Sequence, residues 1–511
     1  MERVLKFDHR KGGFMQVGLP KTTEEFTGIR TEAAVTLRKK KRMQAMMNKR
    51  MKVSPSAPSL TLDEVISGLS LNSLNSVKAL RKHLCASNFD NYELMQKCPS
   101  IVNTLSPGLC NPNSELAYEV MWCFTNLALG PAHFISDISE LVPEICGYIL
   151  EPKNKMLAEQ ACWVLGNLAA DSLQLRDTIR QVCGLLKGMS RLLVFRIQSL
   201  STVACWALCN LIRGPNFDVS MFIETNILEP VLDLTQKPID SDMCIEALWL
   251  MTFLTTNPGN EIFERILQPK FLERCFSILE TSKEPSVTIP VLRILGNILC
   301  YFAERQTFAA DLRFIKALSQ KIESEHQQIK RDALWTASNL IASPVLKQIV
   351  STQEGIGLVE KLLLSLEYDN QDVKAEAGIG IYNFVVADES YFLPLIIRKA
   401  GLYCAKFFSS IVENVPVWLQ FGIQNLTDPE LLKVSVDFIH LCLEYTEENS
   451  LDVPEDLHFY LQSSEIQEKL ENCYAAFNKD QMRLGQTEQT VKGMCTHILA
   501  KYFNSNDMIF T

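Results

Sequence analysis

An all-α solenoid of stacked helical repeats behind a basic arm is the fold class this sequence predicts, and three observations predict it. A Trp four residues ahead of an Asn recurs inside apolar helical runs, at Trp122 and Asn126, Trp163 and Asn167, Trp206 and Asn210, and Trp335 and Asn339. Aligned on that Trp, positions 122, 163, 206, 249, 293, 335 and 379 are separated by 41, 43, 43, 44, 42 and 44 residues. The charge is also divided. Residues 1–53 hold 14 Lys/Arg against 5 Asp/Glu, and the rest holds 36 against 54, so a +9 arm is tethered to a −18 body.

A chain of 511 residues that is 47% hydrophobic can bury more core than one compact domain holds. Its sixteen cysteines form no C-x-x-C pair and no zinc-finger spacing with His, and no secretory signal opens the chain, so a reducing compartment and no metal or cofactor are expected. The longest apolar runs are broken by charge, as by Arg293 in "IPVLRILGNILCYFA", and none reaches the length of a bilayer span. No membrane insertion is expected.

The arm comes first. Residues 28–53, "GIRTEAAVTLRKKKRMQAMMNKRMKV", hold good helix formers from about Thr31 to Lys49, but their basic charge makes the segment a marginal helix that orders on an acidic partner. "SPSAPSLT", residues 54–61, opens a small, polar, Pro-containing linker expected over 54–68. The body then runs over 69–505 as about ten repeats, with a tail at 506–511. A helical period near 42 with few strand signals is that of armadillo or HEAT repeats. The position four after each anchor reads Asn126, Asn167, Asn210, Phe253, Asn297, Asn339 and Asn383, so Asn persists where Trp is lost. "NLALGPAHF" and "NLIRGPNFD" end the anchor helix with Gly then Pro, a stop followed by a residue that cannot continue it. Each unit buries its apolar face only by stacking on its neighbours, and the stack is expected to be a right-handed armadillo-repeat superhelical solenoid with a concave groove.

On a helix, positions i and i+4 share one face. An array of indoles and amides lining a groove suits an extended basic peptide. Asn carries both donors and an acceptor for a peptide backbone, and Lys or Arg stems lie between indoles with their charge near an aromatic face, at about 0.5–2 kcal/mol per contact. Asp171 stands eight residues after Trp163, and Glu246, Asp332 and Glu376 stand three before an anchor, placing carboxylates near the same face. A lone helical Trp is more often core, and a lone Asn can bridge neighbouring helices. Six amides in one register are a costly core habit unless something uses them. For Trp249, paired with Phe253, the core and ligand readings weigh evenly.

Over nearly its whole length the chain resembles importin α, the nuclear transport adaptor. "EQACWVLGNLAADS", "ACWALCNLIRGP" and "DALWTASNLIAS" are similar to that family's third-helix signatures, Arg293 falls where the family has Arg in place of Trp, "RVLKF" and "VTLRKKKRMQAMMNKRMKV" resemble its importin-β-binding segment, and "THILAKYFNSND" its last repeat. The resemblance implies a shuttling adaptor of cytoplasm and nucleus for cargo bearing a lysine-rich nuclear localisation signal. It implies a major site at Trp122, Asn126, Gly130, Gln160, Trp163, Asn167, Asp171, Trp206 and Asn210, and a minor site at Trp249, Arg293, Asn297, Asp332, Trp335, Asn339, Glu376 and Asn383, with Asp332 and Glu376 as acidic partners for cargo. It implies an arm that binds importin β or occupies the groove, through Arg30, Arg38, Lys39, Lys40, Lys41, Arg42, Lys49, Arg50 and Lys52, and recycling by an exportin. Three departures stand out. Ile379 replaces the second minor-site Trp, Ile135 replaces a Thr of the main lysine pocket, and Met51 interrupts a run of three basic residues, which implies weaker self-inhibition.

Other classes fare worse. An armadillo scaffold of the β-catenin kind, without a transport role, would present a basic groove, against a body of −18. Seven dispersed histidines, no phosphate-binding G-x-x-x-x-G-K-[ST] loop and no nucleophile elbow argue against an enzyme. "RKKKR" alone is a weak sign of nucleic acid or anionic membrane, and neither is expected as a partner.

Overall fold

The computed structural model describes residues 60–503, apart from 70–72, 87–90, 111–113, 214–216, 257–258, 302–306, 414–428, 450–451 and 478–485. The basic arm with its nine expected contact residues, Met51 and the tail lie outside the described residues. Among those described, every regular element is a helix.

They form two compact units that part between Ile278 and Leu279. The anchor helices of the first are α1 (Leu74–Cys85), α2 (Ser114–Leu127), α3 (Lys155–Asp171), α4 (Gln198–Ile212) and α5 (Asp242–Leu254). Those of the second are α6 (Pro285–Tyr301), α7 (Gln327–Ile341), α8 (Gln371–Ala387), α9 (Pro429–Glu448) and α10 (Gln486–Tyr502). Shorter helices join successive anchors, such as Ala132–Ser139 and Val142–Leu150 between α2 and α3. This triplet, repeated, is the armadillo architecture. Within the first unit α1 to α5 stack in order; within the second, α6 packs on α7 and α7 on α8.

Local chemistry sets the helix ends. The Asn154 side chain accepts hydrogen bonds from the Met156 and Leu157 amides at the start of α3, and Asn370 caps α8 through the Val373 amide. Helix α2 stops at Leu127, and after Gly130 and Pro131 the chain re-enters helix at Ala132, as the Gly-Pro signal predicts. The second Gly-Pro, at 214–215, lies outside the described residues. Arginines saturate the carbonyl ends of α3 and α4. Arg176 donates to Ala169 O at 3.0 Å, Arg213 to Ala170 O at 2.8 Å, and Arg180 to Leu211 O at 2.6 Å. Leu165, Leu168 and Ala169 are fully buried, because an anchor helix has neighbours on more than one side.

The body starts earlier than expected. Helix Leu62–Leu69 lies inside the stretch read as linker, with Leu62, Val65 and Leu69 buried. Its signal was present in the sequence. Those three residues share one face, and Thr61 and Glu64 form a capping box in which the Thr61 amide donates to Glu64 Oε2 at 2.7 Å and the Glu64 amide to Thr61 Oγ1 at 3.4 Å. Helix α1 also adds a repeat ahead of the first one aligned. Arg81 stands 41 residues before Trp122 and Cys85 41 before Asn126. At the other end α10 stops at Tyr502, and residues 504–505 lie outside the described residues.

Candidate peptide-binding ladder

The Asn ladder is first an internal device. Asn167 Nδ2 donates to Thr125 O at 2.9 Å, Asn210 to Gly166 O at 3.1 Å, Asn339 to Gly296 O at 3.2 Å, and Asn383 to Ser338 O at 3.3 Å. Each acceptor belongs to the residue just before the preceding unit's Asn. Asn126 instead reaches the Cys85 Sγ at 3.6 Å. The neighbouring helix thus uses one N–H of the repeated amide, the bridging role weighed beside the ligand role in the sequence. Asn167 and Asn210 each retain a second N–H and a carbonyl oxygen, whereas Asn383 Nδ2 also donates to Ser338 Oγ at 3.1 Å.

Glycine makes room for the other half of the interlock. A Cβ on Gly166 would stand 2.2 Å from the Trp206 ring, and one on Gly296 the same distance from the Trp335 ring. At both places the next unit's indole lies on the glycine while the next unit's Asn bonds its carbonyl. The Gly-Asn pairs at 166–167 and 296–297 were the sequence signal for this contact.

Packing at this distance buries indoles. Trp206 is 6% exposed, and Trp249 and its partner Phe253 are each 8% exposed. Trp122, Trp163 and Trp335 are half-buried. The Trp163 and Trp206 rings lie 4.9 Å apart between centroids, a continuous aromatic surface across α3 and α4. Gln160 is buried and accepts from Thr125 Oγ1 at 3.3 Å. Gly130 sits against Leu127 O and the Phe134 ring, and Ile135 is buried on the following helix.

The carboxylates divide sharply. Asp171 ends α3 on the face of Trp163 and Asn167, is exposed, and has no ion pair among the described residues. Glu246 is buried. Asp332, 1% exposed, takes Arg293 Nε at 3.3 Å and Gln328 Nε2 at 3.1 Å. Glu376, also buried, faces Arg331 Nε at 3.5 Å. These two carboxylates, expected as acidic partners for cargo, thus meet the chain's own guanidinium groups in this structure. Asn297 is buried on α6, one turn after Arg293.

Arg293 has a counterpart that the alignment missed. Arg81 occupies the anchor position of α1 and bonds Glu119 at 2.5 Å, three residues before the next anchor, as Asp332 is three before Trp335. Its guanidinium also lies 4.3 Å from the centroid of Trp122. Where Arg replaces Trp, the next unit supplies an acid in one register. The spacing of 38 to Glu119 and 39 to Asp332 could have revealed it.

Among the described residues no group of His, Cys, Asp and Glu is arranged to hold a metal, and no helix is long and apolar enough to cross a membrane.

No family model matches the chain. Its sequence is similar to those of importin α subunits. It is 27% identical over 310 residues to importin subunit alpha-9 of Arabidopsis thaliana, covering 58% of each chain. It is 28% identical over 234 residues to importin subunit alpha-1b of Oryza sativa subsp. japonica, covering 43% of this chain and 41% of that one. The chain therefore spans about half the length of these relatives. A crystallised engineered protein shares the fold, with a TM-score of 0.59 at 18% identity over 86% of this chain and 99% of that one.

Proposed function

We propose that this chain is an importin-α-like adaptor whose first unit binds lysine- and arginine-rich nuclear localisation signals along α2 to α4. The observation that carries the reading is the rung at α3. Exposed Asp171 carries no ion pair among the described residues, beside the paired Trp163 and Trp206 rings and amides that keep hydrogen-bonding capacity. A lysine ammonium reaching Asp171 would lay its stem across the aromatic surface, combining a charge pair with a cation–π contact. Trp122, Asn126, Gly130 and Gln160 extend the same surface toward α2.

The resemblance to importin α supports the remaining steps. The basic arm links cargo to importin β and otherwise competes for the ladder, and the chain shuttles between cytoplasm and nucleus with return through an exportin. No catalytic role is proposed. The experiment is fluorescence anisotropy of a labelled lysine-rich peptide against the full chain and against a truncated chain beginning at Ser54. Tighter binding to the truncated chain is expected. Binding to neither would leave an armadillo scaffold with a different ligand, and equal binding would remove self-inhibition.

A further inference from the structure

Among the described residues, a run of strongly exposed large hydrophobic side chains lies off the anchor helices, on two neighbouring helices of the second unit. Helix Gln353–Tyr368 exposes Ile356, Glu360, Leu364 and Tyr368, four residues in strict i, i+4 succession and therefore one stripe along its surface. Helix Glu389–Glu413 packs beside it and exposes Tyr391, Leu395 and Lys399 at the same spacing, with Tyr403 just past a break at Ala400. The two stripes adjoin at their middle, where Lys399 Nζ lies 3.3 Å from Glu360 Oε1. Six of the thirteen strongly exposed large hydrophobic side chains among the described residues fall here, with Tyr368 73% exposed and Tyr391 62%. Scattered apolar side chains are ordinary on a protein surface, but a contiguous patch of this size marks an interface.

Charge and area both point to one occupant. The two stripes carry one acid and one base, one on each, with more than half of each side chain exposed, and Glu367 beside them bonds Tyr368. The pattern of the stripes is thus complementary to itself. A two-fold axis through its centre sets Lys399 of each copy against Glu360 of the other and lays apolar stripe on apolar stripe. At roughly 200 Å² for a fully exposed side chain of this size, the six apolar residues present about 650 Å² per copy. That approaches the ~800 Å² per partner of a standard stable interface. A patch built for an acidic or a basic partner would carry an excess of one sign. We propose that this surface is the isologous interface of a homodimer formed through the second unit.

Sedimentation of the full chain from micromolar to submillimolar concentration tests it. The weight-average mass should rise from 57.8 kDa toward twice that value. L364E combined with Y403E should hold the chain at the monomer mass without changing its helical circular dichroism or melting, because both side chains are exposed. The single change E360K should weaken the dimer at least tenfold by placing Lys against Lys, and adding K399E should restore it. A chain that stays monomeric throughout overturns the proposal, as does a dimer indifferent to L364E and Y403E. A dimer that E360K weakens and the double reversal leaves weak overturns the two-fold pairing.

Discussion

The two units are built by the same interlock and differ in what they leave open. Gly166, Trp206 and Asn210 in the first unit repeat as Gly296, Trp335 and Asn339 in the second. Arg81 and Glu119 repeat as Arg293 and Asp332. The scaffold is thus indifferent to which half it stands in. In the first unit α3 ends in exposed Asp171, eight residues past its anchor, where the second unit has Ser343 and Ala387; the second unit's carboxylates three before an anchor are spent inside, Asp332 on Arg293 and Glu376 on Arg331, and Ile379 stands in place of an indole. An ammonium ligand approaching the second ladder must displace a guanidinium that is already in place. Unpaired carboxylate, more than the Trp/Asn pattern itself, separates a peptide site from a packing motif.

Breaking the shared scaffold should have the largest effect. Glu119→Ala and Asp332→Ala each remove the carboxylate from a guanidinium that is about nine-tenths buried, and the loss of one partner of such a pair costs ~3–5 kcal/mol. Each variant should unfold at lower urea, in the transition of its own unit if the two resolve, since repeat stability is mainly a nearest-neighbour quantity. Arg81 retains the face of Trp122, so Glu119→Ala should be the milder of the two. Identical losses would argue that the aromatic contact contributes nothing.

Gly166→Ala and Gly296→Ala come next. The added methyl enters the space of the Trp206 or Trp335 ring and shifts a helix whose carbonyl also takes the next Asn, so about 1–3 kcal/mol should be lost at each. Equal values would establish that the two interlocks are energetically equivalent. A neutral result at either would mean that the indole swings away freely.

The ligand-binding contrast is sharpened by two opposite substitutions. Asp171→Lys should weaken a one-cluster basic peptide at least tenfold, about 1.4 kcal/mol, with melting unchanged because the side chain is exposed. Arg331→Gln should release Glu376 and strengthen a two-cluster peptide a few-fold while leaving the one-cluster peptide unaffected. If Arg331→Gln strengthens both alike, Arg331 acts through overall charge and not as an internal occupant of the second ladder.

These contrasts mark where the sequence was legible. The period, the helical class and the anchor positions follow from spacing alone, because apolar periodicity and Gly-Pro stops are local properties. The partner of each polar side chain does not, since it lies about 40 residues away on the next helix. That is why the bond each of these Asn side chains makes to the neighbouring backbone is not legible in the spacing. It is also why Arg81 passed unnoticed, since it lacks the indole on which the repeats were aligned. Helix Leu62–Leu69 was hidden differently, by the small polar residues before it.

The smallest predicted effect separates the units by pH. His440 on α9 is held below its ordinary value of 6.5, chiefly by burial; the positive charge of Lys501 and nearby His497 push the same way, and Glu444 and Asp437 oppose. The His497 ring lies 5.4 Å away and the Tyr502 ring 6.1 Å, and Asp437 is itself bonded by Tyr382. A depressed histidine resists protonation in the folded state, whereas the unfolded chain takes up its proton at the ordinary value. Its contribution is therefore complete above pH 6.5 and falls as the pH drops through the window down to the folded value. Between about pH 7 and about pH 5 the urea midpoint of the second unit should decline, and His440→Gln should flatten that decline without altering the slope of the first unit. A flattening of both would show that the two units unfold as one cooperative block, and an unchanged slope would mean that His440 opens to water before the unit does.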